Sequence, residues 1–498
     1  MFYVDLVTAY RSISLPYWAA FFYCQVAMST DKDETPLMRN GCPELPSSRL
    51  VDQDSSSEVA KQISVLPSVV VGKILSYLSW KDKLSAAAAI PFWSDHLRTP
   101  DAWQWFCMDD VYASNDRQID QLSKVNEMTR WCIRHYGHFF QNCIVLLCCT
   151  DESAFQLLDD IKTYCKNIKT LRIHHATRTR FTNQEQLDKY VSALKQVITE
   201  CRAVHYFTLC NIDYVPFNCL EGLTELLRSL AVEPLVKAIK ELELYHVNNT
   251  VLRVVHLASF VNLRKLMCPI QVLNTEIVVA LKNLRQLFLI NSSDTTFGIS
   301  FCEVHRLNWQ AIETVHPALQ VHYMYWTFLQ KSLIVPNPLA RSVIIGERCE
   351  YPACIHEVIV AIAESYGKTL RRFIQQSTFC ISKNELPSLY AMLVKGCPLL
   401  HTFLVSVPIP AAAVSLIAAN RRLRNLWVQD EKISFKFYPR SETCKYRPYD
   451  DVEYVDWWET TIGSLDSLQQ QLTKFLGFPW KPLDDVEMME KIRMLTRF

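Results

Sequence analysis

The chain has 498 residues, with 52 Lys and Arg against 51 Asp and Glu and a net charge of +1. This balance excludes a generic binder of nucleic acid or of anionic membranes. Hydrophobic residues make up 49% and glycines number only 10, which indicates folded domains with filled cores. The 18 cysteines form no regular framework. We therefore expect free thiols in a reducing compartment, cytoplasmic and/or nuclear.

Residues 1–62 are predicted to form a disordered or extended segment. Leu15–Met28 is apolar but only fourteen residues long, which is too short to span a bilayer. Arg11 is the only basic residue ahead of this stretch, so the stretch is a poor match to a signal peptide, which begins with a positively charged region. A natural start at Met28 would make residues 1–27 an extension, and this alternative stays open. Ser29–Lys61 is polar and interrupted by prolines, a composition typical of disorder.

Three short helices are predicted between Leu66 and Phe106. Pro67 suits the first turn of a helix, where a missing N–H costs nothing. Apolar residues then recur at the spacing of one helix face. This apolar stripe consists of Val70, Val71, Ile74, Leu75 and Leu78.

The second helix has a capping residue at Ser79, continues over Lys81–Ile90 and ends at Pro91. A third helix starting at Thr99 or Asp101 would carry Trp103 and Phe106. Because three short helices bury little core, we expect this module to present an apolar face to a partner.

This stretch resembles an F-box, the helical module by which substrate receptors dock onto a ubiquitin ligase. The resemblance rests on Leu66-Pro67, Ile74-Leu75-x-Tyr77-Leu78, Asp82-x-Leu84, Trp93 and Trp103. Two features depart from the family. Ser68 replaces the usual acidic residue, and Ile90-Pro91-Phe92 replaces the Val-Cys-basic run ahead of Trp93. A small helical hairpin packed on the rest of the chain is the alternative.

The resemblance implies that the module binds a Skp-family adaptor, which bridges to a cullin and a RING subunit. The implied adaptor-binding residues are Leu66, Pro67, Ile74, Leu75, Leu78, Leu84, Trp93 and Trp103. Such a receptor concentrates a protein substrate near the ubiquitin thioester. It needs neither a cofactor nor a catalytic residue, so we expect a non-enzyme.

After a predicted helical linker, residues 108–140, a degenerate repeat begins. Its unit is L-x-x-L-x-L followed by a helix, the pattern of a leucine-rich repeat. The units start at Phe140, Ile168, Val204, Ile239, Leu263, Leu284, Leu370, Leu400 and Leu423, with poorer ones around Leu319 and Ser342. Helices are predicted between them, for example over Gln184–Cys201 and Cys354–Tyr366.

The recurring unit and the scarcity of glycine favour a solenoid over a doubly wound α/β domain, which would need Gly-rich turns. The predicted fold class is α/β, with an all-helical F-box at residues 63–107. A solenoid with a parallel concave sheet follows at residues 141–432, and a C-terminal cap or tail at residues 433–498. F-box proteins with leucine-rich repeats have this order. The irregular repeats resemble those of F-box only proteins of the thirty-three or thirty-nine type.

One position of the repeat predicts a binding surface. Side chains alternate across a strand, so the residue between the two buried anchors of each unit points away from the helices. That position reads Arg172, Thr208, Glu243, Met267, Phe288, Gln320, Val343, Ile374, Leu404 and Trp427. An exposed apolar row marks a binding site. The predicted substrate-binding residues are Met267, Phe288, Ile374, Leu404 and Trp427. Alternatively, the C-terminal region folds back and buries this row.

Other kinds of site are poorly indicated. Cys349, Cys354 and His356, with Cys302 and His305 elsewhere, lack the paired spacing of a structural zinc site, so no metal is expected. We find no P-loop, no nucleotide-binding glycine motif and no arginine cluster for phosphate. The sequence therefore indicates the substrate-recognition subunit of an SCF-type ubiquitin ligase. The alternative is a leucine-rich-repeat scaffold that recruits no ligase.

Overall fold

The computed structural model describes residues 66–108, 119–147, 152–175, 184–210, 235–244, 255–270, 273–291, 307–326, 329, 331–346, 349, 355–376, 386–419, 423–435 and 462–496. The predictions for residues 1–62 lie outside this part of the chain. Two compact units divide the protein. The first is Met1–Ile173 with Gln196–Val204, and the second is His174–Lys195 with His205–Phe498.

The first unit begins with the predicted helical module. Its elements are α1 (Ser68–Tyr77), α2 (Trp80–Ala89), α3 (Pro91–Ser94), the 3₁₀ helices Asp95–Arg98 and Pro100–Trp103, and strand β1 (Trp105–Cys107). Ser79 caps α2 as predicted, since its hydroxyl accepts the Asp82 N–H at 3.1 Å. Pro67 precedes α1 instead of lying in its first turn, and Pro91 both follows α2 and starts α3.

The expectation of an all-helical module is wrong at Phe106, which lies on strand β1 instead of on a third helix. Strand β1 pairs in parallel with β2 (Asn142–Leu147), with Phe106 opposite Cys143. The Phe106 ring stacks on Phe140 at 4.6 Å between centroids. The third helical segment shortens to Pro100–Trp103 because pairing with β2 takes up the residues after it.

The linker residues pack directly on this module. The elements that follow in the chain are α4 (Ile119–Tyr136), a 3₁₀ turn (Gly137–Phe139), α5 (Glu152–Tyr164), β3 (Thr170–His175) and α6 (Gln184–Glu200), and most of α6 belongs to the second unit. Trp103 stacks on Tyr136 of α4 at 4.4 Å. The carboxylate of Asp160 accepts bonds from Arg130 at 2.7 Å and from Arg134 at 3.0 Å, which fastens α5 to α4.

In the described residues of the second unit, nine strands form part of one sheet in the order β4 to β11, then β13. They are β4 (Tyr206–Cys210), β5 (Glu241–Leu244), β6 (Lys265–Pro269), β7 (Gln286–Asn291), β8 (Gln320–Tyr325), β9 (Ala340–Ile345), β10 (Arg372–Gln375), β11 (Thr402–Val405) and β13 (Asn425–Val428). The pairs from β4 to β13 are parallel. A separate parallel pair joins β12 (Ile409–Pro410) to β14 (Ile433–Ser434).

Helices return the chain between these strands. They are α7 (Leu235–Ala238), α8 (Thr275–Ala280), α9 (Trp309–Val315), α10 (Ile355–Tyr366), α11 (Leu386–Gly396) and α12 (Ala411–Ala418), with 3₁₀ turns at Val255–Ser259, Lys331–Leu333 and Asp430–Lys432; α13 (Leu465–Leu476) and α14 (Asp485–Thr496) follow the last strand. Each predicted unit coincides with a strand. The predicted α/β fold with a leucine-rich-repeat type of solenoid is therefore confirmed.

Because side chains alternate along a strand, contacts with the helices show which face of the sheet each residue is on. Tyr323 stacks on Tyr366 of α10 at 5.1 Å, and Tyr390 of α11 meets Phe403 edge-on at 5.4 Å. Tyr323 and Phe403 therefore point toward the helices, and the residues beside them in each strand point to the opposite face. No helix in the described ranges is long and apolar enough to cross a membrane.

Candidate functional site

The predicted adaptor-binding residues divide by burial. Leu75, Trp93 and Trp103 are 0%, 2% and 0% exposed, so they form the core of the module. The Trp103 indole donates to the Leu97 carbonyl at 2.7 Å. The other five, which are partly or fully exposed, are Leu66, Pro67, Ile74, Leu78 and Leu84.

The most exposed apolar residues of the module lie on α1. Val69 is 80% exposed and Tyr77 is 67% exposed. Together with Lys73 they are spaced by four residues and share one side of the helix. The Lys73 ammonium lies 5.0 Å from the centroid of the Tyr77 ring. We call Val69, Lys73 and Tyr77 the α1 strip. Its i, i+4 spacing is visible in the sequence, but the F-box resemblance directed attention to other residues.

Lys83 is a buried cation inside the same module and is 1% exposed. Its ammonium lies 5.1 Å from the centroid of the Trp103 ring and donates to the Trp105 carbonyl at 3.4 Å. Burial lowers the pKa of Lys83 from 10.5 to about 8. Burial also raises the pKa of the neighbouring Cys132 thiol, so Cys132 is an uncharged core residue.

The strand register in the second unit differs from the alignment that predicted the apolar row. Phe288 lies opposite His322, instead of in line with Gln320 and Ile374. A register shift between Val321 and His322 displaces the next strand, and Val343 consequently faces the helices. The apolar residues that the register places in line with Ile374 include Ile290, Met324, Ile344, Leu404 and Trp427. The sequence pattern missed the first three because it contains no sign of the shift.

The expected exposure of the predicted substrate-binding residues is also wrong. Met267, Phe288, Ile374 and Leu404 are all 0% exposed, and Trp427 is partly buried. They belong to a cluster that includes the C-terminal residues Leu483, Met488 and Ile492. The C-terminal segment therefore covers the sheet, which is the alternative that the sequence left open. Apolar side chains of α14 pack there because contact with the apolar row removes both surfaces from water.

Backbone and side-chain hydrogen bonds fix this C-terminal cover in place. The Leu483 N–H donates to the Val428 carbonyl at 2.9 Å, and the Asp430 N–H donates to the Leu483 carbonyl at 2.9 Å. The Trp480 indole donates to the Leu426 carbonyl at 2.8 Å. On α14, the Lys491 ammonium lies 5.4 Å from the Trp427 ring. Residues 480–492 thus pair with the last strand and continue across the face.

A buried polar cluster borders the covered row on its amino-terminal side. Glu243 forms an ion pair with Lys265 and accepts the Thr208 hydroxyl at 3.0 Å, and all three are at most 3% exposed. Next to it, His322 stacks on Phe288 at 4.2 Å and bonds to Ser342. Burial first, then the charges of Arg372 and Lys265, lower the pKa of His322 to about 3.

Two runs of basic residues follow the amino ends of the strands, separated at β8, where the buried Leu319 takes the equivalent position. The N–H of Arg264 donates to the carbonyl of Lys240, and the N–H of Arg285 donates to that of Arg264. Further along, the same bonds join His401 to Arg371 and Arg424 to His401. We call this set the basic ladder; its members are Lys240, Arg264, Arg285, Arg341, Arg371, His401 and Arg424.

The basic ladder was not identified from the sequence. The sequence signal is the second position of the repeat, as in Leu263-Arg264, Leu284-Arg285, Leu370-Arg371 and Leu423-Arg424. These cations are far apart along the chain, and parallel stacking brings them together. No set of three or more potential metal ligands occurs among the described residues. Cys302, His305 and Cys354 of the zinc candidates lie outside them.

No protein-family model matches the chain, and no curated protein matches its sequence. The chain is similar to one in the crystal structure of the Rad7 and Elc1 complex in yeast, with a TM-score of 0.40 and 14% identity. The match covers 78% of this chain and 94% of that chain. The parallel strand register described above defines the fold.

Proposed function

We propose that the protein is the substrate-recognition subunit of an SCF-type ubiquitin ligase. In this proposal the module over residues 66–108 binds a Skp-family adaptor, which bridges to a cullin and a RING subunit. The second unit binds the protein substrate. The chain itself contributes no catalytic group, because its role is to raise the concentration of substrate near the ubiquitin thioester. Its place of action is the cytoplasm and/or nucleus.

The α1 strip carries this proposal. Val69 and Tyr77 remain 80% and 67% exposed on the module whose sequence resembles an F-box. Phe92, at the start of α3, is 46% exposed. Large apolar side chains left in water on one module mark a surface that a partner covers. Because Leu75, Trp93 and Trp103 fill the interior, contact with the adaptor falls to the α1 strip and its partly exposed neighbours.

Binding of a purified Skp-family adaptor to the full chain tests the proposal. Val69→Glu places a charge in the α1 strip, and we expect at least about tenfold weaker binding, as for loss of an interface hot spot. Val315→Glu is the matched control, because Val315 on α9 is 47% exposed in the second unit. We expect the control to bind as the wild type does.

A second pair of substitutions separates folding from binding. Leu66→Ala combined with Pro67→Ala changes the residues ahead of α1 without opening the core formed by Trp103. We expect lost adaptor binding with an unchanged thermal unfolding midpoint. Adaptor binding that survives both Val69→Glu and this double change would refute the assignment of the adaptor site to α1 and the residues ahead of it.

A scaffold that recruits no ligase is the second candidate. It is favoured by the packing of the module, since Phe106 and Trp103 stack on Phe140 and Tyr136. The F-box-like helices thus have a structural task whether or not an adaptor binds. A folded wild-type chain that shows no adaptor binding would identify this function.

A further inference from the structure

The basic ladder is a preformed array of cations at one edge of the second unit. Each arginine at the second repeat position sits between two buried anchors. Arg371, for example, lies between Leu370 and Phe373, which are both 0% exposed. Its N–H also donates to the Arg341 carbonyl at 2.8 Å. Adjacent strands are about 4.8 Å apart, so the backbone fixes the spacing of the side chains.

Among the described residues, the cations of the basic ladder have little compensating negative charge nearby. Within the described residues, Arg264, Arg285, Arg371 and Arg424 form no ion pair with a carboxylate, and all four are exposed. In the described part of the chain, the Arg341 guanidinium donates to the carbonyls of Pro338 and Ala340. Burial and the charge of Arg371 lower the pKa of Arg341, and the weaker effect of Glu313 raises it.

The titration behaviour of the cluster agrees with this geometry. Burial lowers the pKa of His401, and the charges of Arg372, Arg424 and Arg371 lower it further. Burial and the charge of Arg371 likewise lower the pKa of Arg372. Four adjacent strands, β9, β10, β11 and β13, therefore bring mutually repelling cations together. An anionic ligand would relieve this repulsion.

We propose that the basic ladder is a docking surface for an acidic, Asp- and Glu-rich segment of a partner protein. Arginine predominates in it, and the planar guanidinium suits two-point bonding to a carboxylate. Apolar side chains accompany the cations. Val261 and Leu399 are 47% and 48% exposed in the turns that lead into Arg264 and His401, so the partner segment carries apolar residues among its acids.

The same surroundings disfavour nucleic acid as the ligand. Single-stranded nucleic acids bind on exposed aromatic side chains beside a basic groove. Among the described residues of the second unit, the large apolar side chains that are exposed are aliphatic, namely Val261, Val315, Leu399, Leu416, Val486, Met489 and Met494. The chain as a whole carries a net charge of +1, whereas domains that bind nucleic acid are usually strongly basic.

Direct binding to the purified full chain tests the docking surface without any ligase component, so its outcome is separate from that of the adaptor experiment. The probe is a dye-labelled oligoglutamate peptide followed by fluorescence anisotropy. Oligoglutamine and oligothymidylate of the same length are the comparison probes. We expect oligoglutamate to bind with an affinity that falls as salt rises, and oligoglutamine not to bind.

Arg371→Gln combined with Arg424→Gln removes two exposed cations of the basic ladder. We expect about tenfold weaker oligoglutamate binding at low salt, the sum of two or three surface ion pairs. Lys432→Gln combined with Lys474→Gln is the matched control; Lys432 follows β13 at its opposite end and Lys474 lies on α13. The control should bind oligoglutamate as the wild type does.

Three results would overturn the proposal. They are absent oligoglutamate binding by the wild type, equal losses in the ladder and control variants, and tighter binding of oligothymidylate that the ladder variant abolishes. The last result would identify a nucleic-acid surface. Arg371→Lys with Arg424→Lys should retain most of the salt-dependent binding, which separates loss of charge from damage to the fold.

Discussion

Truncating Met488 is expected to destabilise the second unit. Met488 is 1% exposed on α14 and belongs to the cluster over Ile374 and Leu404. Met488→Ala removes its buried side chain and leaves a cavity, which typically costs about 2–5 kcal/mol. The cover itself is worth more. Burying Leu483, Met488 and Ile492 gains about 1.5–3 kcal/mol each, an upper bound because unfolded chains already bury some apolar surface.

The same helix supplies its own controls. Met489 and Met494 are 42% and 53% exposed, so truncating either changes little apolar burial. We expect Met489→Ala and Met494→Ala to alter the free energy of unfolding by less than about 0.5 kcal/mol, as surface substitutions usually do. Comparing three Met-to-Ala changes on one helix removes differences in helix propensity and chemistry.

Equilibrium urea unfolding of the full chain, followed by tryptophan fluorescence, provides the measurement. A double-mutant cycle between Met488→Ala and Leu404→Ala adds a test of contact, because residues that share a cavity couple by about 0.5–3 kcal/mol. A cost for Met488→Ala as small as for Met489→Ala would refute the burial of the row. Additive costs in the cycle would show that α14 does not pack over Leu404.

Three further predictions concern buried titratable side chains. His322 has a folded pKa of about 3, so only the unfolded chain gains a proton between pH 6.5 and that value. The free energy of unfolding should therefore fall on acidification, and His322 should contribute about 2 kcal/mol of this loss at about pH 5. In urea unfolding, His322→Gln should lose less stability between pH 7 and pH 5 than the wild type does. An equal loss in the two proteins would contradict the prediction. Lys83 has a folded pKa of about 8 against 10.5, so its charge costs about 3 kcal/mol at pH 7. Lys83→Met should raise the free energy of unfolding by up to that amount, and this gain should shrink as pH rises from 8 to 10.5. Lys81→Met should give no such gain. Thermal unfolding of both variants measured across this pH range tests the prediction. Glu243→Gln leaves Lys265 without its counter-charge and should cost about 3–5 kcal/mol in urea unfolding, and a cost below about 1 kcal/mol would show that the pair is not buried.

The sequence determined the elements and their order. Anchors such as Leu263 and Leu266 predicted strand β6, and Ser79 predicted the start of α2, because short-range periodicity and capping follow from local backbone geometry. Even the basic ladder was present in the sequence, as the residue after the first anchor of each unit. Its members are separated by about twenty to fifty-five residues along the chain, so the pattern acquires meaning only when strands stack in register.

Tertiary structure decided which surfaces are free. The row containing Ile374 and Leu404 has the composition of an exposed binding surface, but α14 returns and covers it, and nothing local to either strand specifies that contact. The register shift at Val321 likewise depends on how β8 and β9 pair, so the sequence placed Val343 on the wrong face. Burial is a property of the assembled chain because it is set by long-range packing. For this protein, packing covers the apolar row and leaves the α1 strip and the basic ladder in contact with solvent.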